Sequence, residues 1–106
     1  MEQMFYGATS FNGDLSAWNT TNVTDMSNMF NGATSFNGDL SAWNLTNVTN
    51  MDSMFNGATS FNQDLCSWGD SFPYNNAEFI FADSRCTFKS TPQENQKRPF
   101  CASECV

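Results

Sequence analysis

Residues 31–44 read "NGATSFNGDLSAWN", and nearly the same phrase stands at residues 6–19 as "YGATSFNGDLSAWN" and at residues 56–68 as "NGATSFNQDLCSW". Met4-Phe5, Met29-Phe30 and Met54-Phe55 are 25 residues apart, as are Phe11, Phe36 and Phe61, and Trp18, Trp43 and Trp68. A strict period of this length marks an array in which no unit buries its apolar face alone and stacked units share one core. The array is expected to fill residues 1–84. "EFIFADS" matches "SMFNGA" once a residue is inserted before it, which places Ile80, Phe81 and Ser84 where Met54, Phe55 and Ala58 stood. Three regular units and a degenerate fourth follow, with residues 85–106 as an irregular C-terminal cap or tail.

Within one unit, Leu40, Trp43, Leu45, Asn47 and Val48 spell L-x-x-W-x-L-x-N-V, close to the leucine-rich-repeat template. This spacing predicts a short strand over residues 43–45, with Trp43 and Leu45 inward and Asn44 outward, and an equivalent one over residues 18–20. Val48, Met51, Met54, Phe55 and Ala58 then make a helical stripe that ends near Gly57, with Thr49 or Asn50 as its cap. The expected fold is therefore α/β: a right-handed leucine-rich-repeat-like solenoid, one short strand and one short helix per turn.

"NVTDMSNMFNGATSFNGDLSAWN", residues 22–44, resembles the repeat of the BspA-like leucine-rich-repeat surface proteins, including the mycoplasma-type surface repeat of unknown function. The likeness runs over about residues 1–68. It implies a secreted or cell-surface protein, without catalytic activity, that works in adhesion and protein binding.

Composition narrows the function classes independently. The net charge is −7, and Arg85, Lys89, Lys97 and Arg98 are the only basic residues, so residues 1–84 carry no cation. Affinity for nucleic acid comes largely from Lys and Arg contacts to phosphate, which excludes the repeats as a nucleic-acid surface, and anionic membranes are disfavoured for the same reason. No run approaches the roughly 20 apolar residues that span a bilayer. The start, "MEQMFYGATSF", has no leader-like basic and apolar regions and already lies inside a repeat, so a segment of a longer protein is expected. Its uncapped Phe5, Phe11 and Leu15 predict that this segment alone self-associates through the N-terminal end or depends on missing upstream turns.

The candidate chemistry is sparse. Cys66, Cys86, Cys101 and Cys105 all fall in the last part of the chain. Disulfides are preferred over zinc, because Cys101-x-x-x-Cys105 has no matching second pair and the chain has no histidine; three pairings remain open. Disulfides would place the protein in an oxidising compartment. Asn22 and Asn47 occupy the ladder position, where a buried amide would bond the backbone of neighbouring turns. Asn19, Asn22, Asn44 and Asn47 all begin N-x-T sequons, with Asn19 and Asn44 as the exposed glycosylation candidates.

Asp14, Asp39 and Asp64 form a column in which either turn N–H groups or calcium would relieve the carboxylate repulsion; the turn bonds are preferred because they require no metal. Hydroxyl columns such as Thr9, Thr34 and Thr59 admit an ice-binding reading, against which local turn bonding is the simpler account. Lacking histidine, the chain holds no Ser-His-Asp or Cys-His arrangement, and a repeat gives each Asp a like environment, which is unsuited to an acid and base pair. No catalytic residue, cofactor or metal site is assigned. The expectation is a non-catalytic secreted or cell-surface interaction module for a protein or glycan ligand. A structural spacer or wall component, or a calcium- or ice-binding array, is the alternative.

Overall fold

The backbone hydrogen bonds of residues 26–33 decide how this chain folds. In the computed structural model, which describes residues 1–95 and 99–105, every N–H of that stretch has a partner. Met26, Asn28, Phe30 and Gly32 donate to the carbonyls of Asn50, Asp52, Met54 and Asn56, one repeat further on. Met29, Asn31 and Ala33 donate three residues back, to Met26, Asn28 and Phe30, and Ser27 N–H donates to Asp25 Oδ1. Such a run is a chain of β-turns fused to a ladder between repeats. It recurs at residues 51–58, where Met51, Ser53, Phe55 and Gly57 donate to Asn76, Glu78, Ile80 and Ala82.

The expected α/β solenoid is therefore wrong. Among the described residues there is no α-helix and no sheet, only isolated bridges such as Asp25 with Asn50 and two short 3-10 segments, Cys66–Trp68 and Tyr74–Asn76. The predicted helical stripe is real as a pattern of burial: Val48, Met51, Met54, Phe55 and Ala58 are all buried. A chain of β-turns brings residues i and i+3 together just as a helix does, so the spacing does not distinguish the two.

The backbone does distinguish them. Asn28 and Ser53 lie at φ 57° and 58°, and Gly32 and Gly57 at φ 76° and 79°. Each is the third residue of a β-turn, the position where a type II turn requires positive φ, and such residues break a right-handed helix after one turn.

The predicted strands fail for a different reason. Trp43 and Leu45 do point inward and Asn44 outward. Between the first and second repeats, however, the Thr20 hydroxyl takes the backbone's place, donating to Asn44 O at 3.0 Å and accepting from Asn44 N–H at 2.9 Å. The hydroxyl is buried at 1% exposure, and it satisfies both groups that a strand neighbour would have paired.

Four stacked coils result: residues 1–25, 26–50, 51–76 and a fourth from residue 77. The third coil holds the inserted residue, so Ile80, Phe81 and Ser84 occupy the places of Met54, Phe55 and Ala58, one position late. Phe79 (φ 59°) and Asp83 (φ 54°) repeat the left-handed positions of Ser53 and Gly57.

The core is a double file of phenylalanine rings. Phe5, Phe30, Phe55 and Phe81 stack at centroid spacings of 5.3, 5.5 and 6.0 Å, and Phe11, Phe36 and Phe61 at 5.8 and 5.9 Å. Trp43 and Trp68 pack beside them and donate Nε1–H to the carbonyls of Leu15 and Leu40 in the preceding coil, at 2.8 and 3.0 Å. Trp18 has no coil beneath it and remains 38% exposed.

Two disulfides bind the C-terminal segment to this stack. Cys86 pairs with Cys101 and Cys66 with Cys105. Cys101 bridges both Asp64 and Phe88, and Ala102 N–H donates to Gln63 O, so the segment lies along the outer edge of the third coil. Phe100 meets Phe72 and Tyr74 edge-on at 5.0 and 6.4 Å, closing the core on that side.

Candidate functional site

The aspartate column and the disulfide that ends it border a shallow groove. Asp14, Asp39 and Asp64 each use Oδ1 to accept the N–H two residues on, from Ser16, Ser41 and Cys66, at 2.9 Å in every case. These are Asx turns, which a three-residue D-L-x phrase forms without help from the rest of the fold. The bonds stabilise the ionised carboxylates of Asp14 and Asp39. The Ser16 hydroxyl, then its N–H, holds Asp14 below its ordinary 3.8, and the Ser41 N–H, then its hydroxyl, does the same for Asp39.

Between the second and third coils the groove is lined by Asp39, Ser41, Gln63, Asp64, Cys66 and Ser67, and encloses about 370 Å³. It continues past Gly69 and Asp70 to Ser103 and Cys105, so the Cys66–Cys105 disulfide forms part of its wall. Ser67 donates its hydroxyl to Ser41 O at 2.7 Å, and Gln63 Nε2 donates to Asn37 O at 2.9 Å, which ties the two coils together under the groove. Oδ2 of Asp39 and of Asp64 takes no hydrogen bond among the described residues. The groove is thus rigid, acidic and rich in acceptors, suited to a ligand that presents hydroxyl or ammonium donors.

Other residues singled out from sequence lie elsewhere. Asn22 and Asn47 are exposed, not buried; Asn47 Nδ2 nonetheless donates to Thr21 O of the preceding coil at 2.7 Å. Asn19 and Asn44 are exposed, with their Oδ1 atoms accepting from Thr21 and Thr46 N–H at 3.0 and 2.8 Å. A second asparagine column joins three successive pairs of coils. Asn12 Oδ1 accepts Asn37 N–H at 3.0 Å, Asn37 Oδ1 accepts Asn62 N–H at 2.9 Å, and Asn62 Oδ1 accepts Thr87 N–H at 3.3 Å. The signal for it is the F-N pair at each 25-residue step.

The hydroxyl columns also bond between coils. Ser35 Oγ donates to Thr9 O, Ser60 Oγ to Thr34 O and Thr49 Oγ1 to Thr24 O. Among the described residues no group of three His, Cys, Asp or Glu side chains converges as metal ligands would. No described helix is long and apolar enough to cross a membrane. Lys97 and Arg98, part of the basic group at the C-terminal end, lie outside the described residues.

The family model described as "Mycoplasma protein of unknown function, DUF285" matches residues 1–94. The match extends past the 1–68 stretch that carries the repeat and takes in the fourth coil. It agrees with the mycoplasma-type part of the resemblance and carries neither a leucine-rich-repeat fold nor an activity. No curated protein and no solved structure matches the chain.

Proposed function

This chain belongs to the DUF285 family, and from that premise we propose that it is a non-catalytic interaction module, secreted or displayed on a cell surface, which holds a protein or glycan ligand in an adhesion role. The observation that carries the reading is the groove along Asp39 and Asp64, walled by a closed disulfide. Asp39 and Asp64 are held by local turn bonds and Ser67 and Gln63 by bonds to the preceding coil, which leaves the carboxylate Oδ2 atoms and exposed hydroxyls as preorganised recognition groups. Two disulfides support an oxidising location, because such bonds persist outside the reducing cytosol. The likeness to surface repeats supports the same location.

The test is binding of the labelled, oxidised chain to intact cell surfaces and to immobilised extracellular glycans. Saturable binding, competed by unlabelled protein and weakened at least tenfold in the double variant Asp39→Asn, Asp64→Asn, is the expected result. Non-saturable binding, or binding unchanged in that variant, would overturn it and favour the structural-spacer reading.

A further inference from the structure

The two disulfides differ in what surrounds them. Cys86 and Cys101 are both fully buried, at 0% exposure, whereas Cys66 and Cys105 are each partly exposed. Cys66 also lines both halves of the groove, the part along Asp39 and Ser41 and the part that runs past Gly69 to Ser103 and Cys105. A thiol that enters the groove therefore meets one disulfide and not the other. Access of this kind separates labile disulfides from inert structural ones, because exchange requires a thiolate to reach a sulfur.

What the Cys66–Cys105 bond holds is equally local. Up to Ala102 the segment is tied down without it, by Phe88 N–H to Cys101 O, Ala102 N–H to Gln63 O and the buried Cys86–Cys101 pair. Beyond Ala102 the bonds turn inward: Ser103 N–H donates to Phe100 O, and Cys105 N–H to Ser103 Oγ. Among the described residues no hydrogen bond joins residues 103–105 to a coil, so the disulfide is their tie to the groove's wall. The third coil does not depend on that tie. Cys66 stands where the first two repeats have Ser16 and Ser41, and its N–H makes the same Asx turn with Asp64 that those serines make without a disulfide.

We propose that Cys66–Cys105 is a redox latch on the groove, opened by thiols while Cys86–Cys101 stays closed. That opening changes ligand binding rests on the groove being the ligand site proposed above. In the step, a thiolate attacks one Sγ, forming a mixed disulfide and releasing the other cysteine as a thiolate. A second thiolate attacks the reductant's sulfur in that mixed disulfide, so the reductant leaves as its own disulfide and the second cysteine is freed. Two electrons pass to the protein, and the two cysteine thiolates take up protons from water. Residues 103–105 then leave the wall, and the groove loses one side. The acids beside the latch select the reductant. Asp64 and Asp70 line the same half of the groove, and no Lys or Arg does, so a cationic thiol reaches the sulfurs faster than an anionic one. Salt removes that preference.

The experiment exposes the oxidised full chain to cysteamine or, separately, to mercaptoethanesulfonate, traps free thiols by alkylation over time and maps them by peptide mass. Each rate is normalised to the same thiol's rate on a small uncharged disulfide. Cys66 and Cys105 are expected to be labelled at least tenfold faster than Cys86 and Cys101. The cationic thiol is expected to be favoured at low salt, and less so in high salt or in Asp64→Asn, which keeps the Oδ1 acceptor. Hydrogen exchange in the opened form should speed up at residues 103–105 and stay slow at the Phe30 and Phe55 N–H groups, which are bonded between coils. Labelling of all four cysteines together, or of Cys86 and Cys101 first, overturns the proposal, and so does unchanged exchange at residues 103–105. Cys66→Ser with Cys105→Ser, which restores the D-L-S phrase, supplies a permanently open form beside the reduced wild type. Binding to cell surfaces and glycans is expected to fall at least tenfold in both. Equal binding by open and closed forms, still weakened by Asp39→Asn with Asp64→Asn, overturns the regulation and leaves the groove as the ligand site. No binding by either form, with Cys66 and Cys105 labelled selectively, sinks the groove reading and supports the latch alone.

Discussion

Phe5, Phe30 and Phe55 hold the same place in three coils, and alanine at each should cost very different amounts. Phe55 is fully buried, 4.0 Å from Phe61, 5.5 Å from Phe30 and 6.0 Å from Phe81, with Trp68 at 6.3 Å. A buried Phe→Ala change costs about 3–5 kcal/mol, with more where the site cannot collapse. Rings above and below Phe55 are themselves held by hydrogen-bonded coils, so Phe55→Ala belongs near about 4–5 kcal/mol, and Phe30→Ala with it. Phe5 is half-buried, with Phe30 at 5.3 Å on one face and no coil on the other. Less apolar surface is lost there and solvent fills the space, so about 1–2 kcal/mol is expected. Urea unfolding followed by tryptophan fluorescence, in dilute non-reducing buffer, measures all three. Equal costs for Phe5→Ala and Phe55→Ala would refute the reasoning, because they would mean that the first coil is packed on both faces.

Asn37→Leu strands the N–H of Asn62 and should cost about 1–3 kcal/mol, whereas Asn22→Ala, exposed and outside that ladder, should stay within about 0.5 kcal/mol; the same unfolding assay separates them. Asp39 has a folded pKa lower than its unfolded one, so its stabilising share is complete above the ordinary 3.8 and disappears as pH falls through the folded value. Unfolding midpoints measured from neutral pH downward should therefore drop below that point, and drop less steeply in Asp39→Asn. Removing Cys86–Cys101 with paired serines should cost about 3 kcal/mol from its 15-residue loop, and removing Cys66–Cys105 about 4 kcal/mol from its 39-residue loop; calorimetry of the two double variants tests the ordering.

The candidate groove was only partly visible in the letters. Asp39 and Asp64 were marked by their repetition, and their turn bonds follow from the local D-L-x phrase. Gln63 and Ser67 were not marked, because they reach Asp39 and Ser41 only when the second and third coils stack, and Cys105 joins Ser67 only when the C-terminal segment folds back across the third coil. Asn47 does bond the backbone of the preceding coil, from an exposed position, but the longer asparagine ladder through Asn12, Asn37 and Asn62 was not marked. Both columns repeat every 25 residues, so period alone does not choose between them.

The sequence by itself determined the period, the inserted residue before the fourth coil, and which side chains lie inside, because burial follows the spacing of apolar residues whatever path the backbone takes. The path was decided only by the tertiary structure. Whether residues 26–33 make a helix or a chain of β-turns depends on where their N–H groups find acceptors, and half of those acceptors lie one full coil away at Asn50, Asp52, Met54 and Asn56. The pairing of the four cysteines is the same kind of fact: four thiols allow three connectivities, and the run of the C-terminal segment along the third coil selects Cys66 with Cys105 and Cys86 with Cys101.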